Sequence, residues 1–170
     1  MQMQQVNKAN LKPINIKFQE SKMKSKVTAT VLLSVSIMAT ILCAILNFNE
    51  FLMGGNATTK NVVVTTVYIA VWFLVSAIGI INKQRSIIKY CCIFWGITLF
   101  LTLLILLLNA TGIDTGIVDL FIPFEILLLG PWFGIQQFTE SLQKCEILMT
   151  LIPIAMFAAT FVSLKRLRQV

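Results

Sequence analysis

The sequence predicts an all-α integral membrane protein, with four transmembrane helices and a short extra helix, interfacial or re-entrant, on the outer side. Composition is the first observation: of the 170 residues, 57% are hydrophobic and 12% are charged, whereas soluble domains are about 45–50% apolar and about 25% charged. The second is the presence of four apolar runs, each long enough to cross a hydrocarbon core about 30 Å thick. The third is the one-sided distribution of lysine and arginine along the chain.

A single membrane domain over residues 27–164 follows from these runs, because the connections between them leave no room for a soluble core. Residues 1–26 are polar and basic, and Pro13 predicts a break in any early helix, so we expect disorder or a weakly amphipathic segment there. A basic tail follows at 165–170. We place the spans at about 27–47, 61–82, 87–108 and 146–164, with a long outer loop at 109–145.

The distribution of charge predicts the orientation of the chain. All but two of the 14 lysine and arginine residues flank the spans on one side, the exceptions being Lys60 and Lys144. Cytoplasmic flanks of membrane proteins collect these cations, so both termini are predicted to be cytoplasmic. A composition rich in Ile, Lys and Asn is typical of proteins from AT-rich bacterial genomes, so we expect the membrane to be a bacterial plasma membrane. The cations flank apolar spans and are not interleaved with aromatic residues, which argues against a nucleic-acid partner.

Small residues predict how the spans pack. Membrane helices associate through close packing of small side chains, because lipid is as apolar as leucine. One stripe at four-residue steps lies in the first span and another in the fourth. Contact within the bundle is the favoured interpretation of both, and contact with a partner protein is the alternative. The two stripes consist of Ser36, Thr40 and Ala44, and of Ala155, Ala159 and Ser163.

The segment "FIPFEILLLGPWFGI", residues 121–135, is too apolar for water and too short to cross a bilayer. Pro123 suits the first position of a helix, and Gly130 with Pro131 is a strong stop signal. These signals predict a helix over about 121–130. Three placements stay open: an interfacial helix, which is favoured because Trp132 follows it as an interface marker, a re-entrant hairpin, or docking onto a partner protein.

Glu125 is the one acid within this apolar segment. The simple interpretation is a charge at a helix end that reaches water. The alternative is a carboxylate with a raised pKa that faces a substrate, an ion or a cationic partner. We therefore take the outer segment as the predicted contact region for a partner or substrate. Its residues are Asp119, Pro123, Glu125, Gly130, Pro131 and Trp132.

No catalytic or cofactor signature accompanies these residues. The chain has no histidine, which excludes Ser-His-Asp catalysis and histidine-ligated metal sites. It has no glycine-rich phosphate loop and no cysteine cluster with zinc spacing. No charged residue lies in the central part of any span, which argues against a charge relay through the bundle. The sequence thus predicts neither a metal nor a cofactor.

Three functions are compatible with this pattern. The leading hypothesis is a small non-enzymatic membrane subunit of the accessory, assembly or immunity kind, which acts through helix packing and its outer apolar segment. It would contact the lipid bilayer and either a membrane-protein partner or further copies of itself. The first alternative is a small oligomeric transporter or channel. The second is an enzyme of the outer leaflet that uses Glu125 and neighbouring carboxylates.

Overall fold

The computed structural model of the chain describes residues 6–111, 117–139 and 142–169. These residues form five α-helices and one 3-10 helix. The turn between Leu52 and Thr59 and the long connection between Thr111 and Leu142 lie at the same end of the bundle. We call this end the long-loop end. The elements are α1 (Val6–Leu52), α2 (Thr59–Ile81), α3 (Arg85–Thr111), α4 (Ile117–Leu128), the 3-10 helix (Gly130–Phe138) and α5 (Leu142–Arg166).

Four of the helices are long and apolar enough to cross a membrane, which confirms the predicted fold class. The apolar stretches are Lys26–Leu52 in α1, Thr59–Ile81 in α2, Arg85–Leu108 in α3 and Ile147–Arg166 in α5. Because α4 and the 3-10 helix are shorter, they are the extra elements, and both connect α3 to α5 at the long-loop end.

Aromatic side chains fill the middle of the bundle. Trp72 on α2 stacks on Phe94 of α3, with ring centroids 3.7 Å apart, and meets Trp95 edge-on at 5.5 Å. Its indole nitrogen donates a hydrogen bond of 3.1 Å to the Thr40 hydroxyl on α1. This packing joins α1, α2 and α3, while α5 packs mainly along α3. The turn between α1 and α2 is closed by an ion pair of 2.7 Å between Lys60 and Glu50.

The structure corrects the expectation for the N-terminal segment. Instead of breaking at Pro13, α1 begins at Val6 and continues without interruption to Leu52. A proline inside a helix removes one backbone hydrogen bond.

The extra helix also differs from its predicted bounds of about 121–130. It begins earlier, at Ile117, and ends at Leu128, so Pro123 lies inside α4 and not at its first position. The stop signal itself works as expected, since α4 ends two residues before Gly130. The chain then continues as a 3-10 helix with Pro131 in its first turn, where the missing N–H has no helical partner to lose.

Candidate functional site: a buried 3-10 helix and the adjoining cavity

The 3-10 helix enters the bundle from the long-loop end and is buried by it. Residues 130–135 are all buried, and the segment packs against α1, α2, α4 and α5. Trp132 meets Tyr68 and Trp95 edge-on, with ring centroids 5.5 and 6.0 Å apart. Tyr68 lies nine residues beyond the start of α2, which corresponds to about 14 Å along the helix axis. The segment therefore reaches into the interior of the bundle.

Trp132 consequently does not mark a membrane interface, contrary to the sequence-based expectation. Its side chain is fully buried between α2 and α3. The physical reason lies in the path of the backbone: once Pro131 starts a 3-10 turn that heads into the bundle, the next side chain points to the aromatic core and not to lipid. Residues 130–135 are buried in the bundle, as a re-entrant segment would be, while α4 keeps exposed apolar residues such as Phe124.

Two asparagines provide the first set of hydrogen bonds that holds this segment. Asn47 on α1 donates through its amide nitrogen to the Gly130 carbonyl at 3.0 Å and to the Pro131 carbonyl at 3.5 Å. Asn61 on α2 donates to the Asn47 side-chain oxygen at 3.1 Å. Both asparagines are fully buried. A buried carbonyl without a partner costs about 1–3 kcal/mol. The Asn47 amide supplies the hydrogen-bond donor that lipid lacks.

Asn61 is itself held by the start of α2. Its side-chain oxygen accepts hydrogen bonds from the Thr58 backbone N–H at 2.8 Å and from the Thr58 hydroxyl at 2.6 Å. In both bonds the side chain of the third residue of α2 reaches back to the N-cap residue. The amide orientation of Asn61 is thereby fixed, so its nitrogen is directed towards Asn47.

Thr65, one turn further along α2, makes the second attachment. Its hydroxyl donates to the Pro131 carbonyl at 2.7 Å and accepts from the Gly134 N–H at 3.0 Å. Gly134 is required here by close approach: a Cβ at this position would overlap the Asn61 carbonyl oxygen and lie 2.7 Å from the Thr65 hydroxyl. The backbone of the 3-10 helix thus rests directly on α2.

The period of three residues per turn gives this helix three distinct faces. Pro131 and Gly134 lie against α2, whereas Trp132 and Ile135 belong to the aromatic core. Phe133 on the third face meets Phe51 of α1 edge-on at 6.0 Å. This third face borders a cavity.

The cavity has a volume of about 230 Å³ and lies at the long-loop end, among α3, α4, α5, the 3-10 helix and the end of α1. Most of its lining is apolar, with Glu125 of α4 as the charged member among the described residues. The residues that line it are Phe51, Thr102, Ile105, Leu106, Glu125, Leu129, Phe133, Gln136, Cys145, Met149 and Thr150. Partial burial raises the pKa of the Glu125 carboxyl above its usual range, because the charged form loses hydration.

Four of the residues predicted from the outer segment lie in these two features. Gly130, Pro131 and Trp132 belong to the buried 3-10 helix, and Glu125 belongs to the cavity. Pro123 is on the far side of α4, where it lines an apolar groove of about 380 Å³ next to Ala44. Asp119 is in α4, but its side chain lies outside the described residues.

The two small-residue stripes have opposite positions. Ser36, Thr40 and Ala44 are all buried against neighbouring elements. On α5, by contrast, Ala155 and Ala159 are exposed and Ser163 is partly exposed. The buried residues of α5 within its span are Pro153 and Thr160, so a different face of this helix packs in the bundle.

Sequence reasoning missed Asn47, Asn61 and Thr65. A signal was present for the asparagines, because an amide at the end of an apolar span needs a polar partner when buried. Asn61 also stands at the third position after Thr58, in a helix-start pattern. In the part of the chain that the structure describes, no group of three or more potential ligands could hold a metal ion.

Comparison of the chain with protein-family models, with curated proteins and with solved structures finds no match.

Proposed function

We propose that the protein is a small non-enzymatic membrane subunit, of the accessory, assembly or immunity kind, that binds another membrane protein through α5. The observation that carries this proposal is the low burial of α5: only 11% of its most apolar stretch is buried by the rest of the chain, against 22% for α1 and 33% for α2 and for α3. A helix that its own bundle covers so little has a free side for a partner.

The chemistry of this side favours a helix as the partner. Ala155 and Ala159 are exposed one turn apart, and small residues at this spacing allow two helix backbones to approach closely. Ala159 also borders a groove of about 270 Å³ between α2 and α5. Phe73 and Met156 also line this groove and offer it an apolar surface.

The interior of the bundle supports a binding role over a conducting one. Tyr68, Trp72, Trp95 and Trp132 are essentially inaccessible to solvent and occupy its middle. A path for an ion or a solute would therefore have to form between several copies of the chain. This is the transporter or channel alternative, and it requires self-association.

A pair of substitutions with a matched control tests the proposal. The double variant Ala155→Leu/Ala159→Leu adds bulk to the free side of α5, and Ala70→Leu adds the same bulk to an exposed position of α2. After extraction from native membranes in a mild detergent, the wild type and Ala70→Leu should co-purify with the same stoichiometric membrane protein. The double variant should lose it.

Two results would contradict the proposal. The first is that the wild-type protein, expressed at its native level, purifies without any other membrane protein. A complex that contains only further copies of this chain would favour the oligomeric transporter or channel, which a flux measurement in reconstituted vesicles would then test.

A further inference from the structure

The cavity beside the 3-10 helix has properties that the proposed subunit role does not use. Glu125 lines it as a partly buried carboxylate and makes neither an ion pair nor a hydrogen bond with another described side chain. A carboxylate that is partly removed from water without a cationic partner is costly. A ligand that brings a positive charge would remove this cost.

The other residues that line the cavity indicate which chemical groups of the ligand would lie next to its positive charge. Phe51 and Phe133 form an aromatic wall, and aromatic faces attract ammonium groups. The aliphatic residues Ile105, Leu129 and Met149 cover other sides and suit a hydrocarbon body. Leu106 is 38% exposed at the rim, which opens the cavity to the surface of the bundle.

The size of the cavity limits how much of the ligand it holds. Its volume of about 230 Å³ exceeds the roughly 150 Å³ that accommodates a benzene molecule. It is smaller than the roughly 300–1,000 Å³ of pockets for drug-sized molecules. An ammonium group and the first part of its chain would fit inside, and a longer chain would leave past Leu106 along the apolar surface.

We propose that this cavity binds the ammonium group of an amphiphilic amine, with Glu125 as its counter-ion and the Phe51–Phe133 pair as its aromatic wall. The hydrocarbon chain of the amine then lies on the apolar surface beside α3. This site is separate from the free side of α5, so either proposal can fail while the other stands.

The site is tested by titrating the protein in dodecyl maltoside with two probes and measuring the affinity for each. Dodecylamine carries the ammonium group, and dodecanol has the same chain without the charge. The wild type should bind dodecylamine about tenfold to a hundredfold more tightly than dodecanol. A hydrogen bond to a charged group raises the affinity by about this factor. Equal affinity for the two probes would overturn the proposal.

Variants assign the binding to the cavity. Glu125→Gln keeps the shape of the side chain but removes its charge, so dodecylamine affinity should fall to that of dodecanol. Glu50→Gln, an outer carboxylate that does not line the cavity, should bind like the wild type. Wild-type affinity in Glu125→Gln would refute the role of Glu125. Leu106→Phe fills the cavity from its exposed rim and should weaken both probes, which keeps the test decisive if Glu125→Gln does not fold.

The ammonium group could belong to a free amphiphile or to a lipid headgroup, and a competition experiment distinguishes these sources. Phosphatidylethanolamine is added to the micelles in one arm, and phosphatidylglycerol in the other. If phosphatidylethanolamine alone displaces dodecylamine, the site takes an aminolipid headgroup. If neither lipid displaces it, the site takes a free amphiphilic amine.

Discussion

The 3-10 helix and α5 are both apolar, yet residues 130–135 of the first are all buried whereas only 11% of the apolar stretch of the second is. Apolarity alone does not explain this difference, because lipid solvates an apolar side chain as well as protein does. The α-helical backbone of α5 satisfies its own hydrogen bonds, apart from the one that Pro153 removes. The short 3-10 segment does not, so it needs Asn47 and Thr65 as partners, and Asn61 holds Asn47 in place. The need of backbone N–H and C=O groups for hydrogen-bond partners therefore decides which segment lies inside the bundle.

The strongest way to break the buried segment is to separate its backbone from α2. Gly134→Ala places a methyl group against the Asn61 carbonyl and the Thr65 hydroxyl, so we expect a loss of about 3 kcal/mol or more in the free energy of unfolding. Gly130→Ala is the matched control, since a Cβ there meets nothing within 4 Å. Thermal unfolding in detergent measures both, and equal midpoints for the two variants would contradict the close contact.

The second prediction removes the hydrogen bonds but keeps the shape. Thr65→Val leaves the Gly134 N–H without its partner and the Pro131 carbonyl with only the Asn47 amide at 3.5 Å. We expect this loss to lower the free energy of unfolding by about 1–2 kcal/mol. The neighbouring Thr66 is exposed and bonds only to its own helix, at the Val62 carbonyl. Thr66→Val should therefore change stability by less than about 0.5 kcal/mol. Similar losses in both variants, measured in the same unfolding assay, would show that Thr65 does not anchor the segment.

The third prediction sharpens the comparison from the side of α5. Because Ala155 and Ala159 are exposed, Ala155→Leu/Ala159→Leu should change the stability of the isolated protein by less than about 0.5 kcal/mol. The same double variant is expected to lose the partner in native membranes. A large drop in the unfolding midpoint of the purified protein would mean that this side of α5 packs within the chain.

The smallest expected effect concerns Glu125 in the ligand-free protein. Burial raises the pKa of its carboxyl in the folded state, so on raising the pH the unfolded chain loses this proton first. Stability should fall between the ordinary and the raised pKa of this carboxyl and then stay low. Glu125→Gln should lack this component, so its unfolding midpoint gains on that of the wild type as the pH rises through that window. A pH-independent difference between the two proteins would refute a raised pKa.

Particular residues show how far sequence reasoning reached. It predicted the four spans, the stop at Gly130 and Pro131, and the two interpretations of Glu125. It expected Trp132 at an interface because that interpretation looked only at the local segment. The buried position of residues 130–135 depends on Asn47, which is 83 residues away from Gly130 along the chain, and on Thr65, which is 66 residues away from Pro131. No local pattern contains such pairs.

The sequence by itself determined the all-helical membrane fold, since runs of apolar residues long enough to cross a bilayer satisfy their backbone only as helices. It also determined where the extra helix must end. The tertiary structure alone decided which side of each helix is covered, and therefore that Ala44 is buried while Ala155 and Ala159 are exposed. It alone brought Glu125 to a cavity beside two phenylalanine rings. The physical reason is that both outcomes depend on contacts between distant segments, and the apolar character of a span does not specify them.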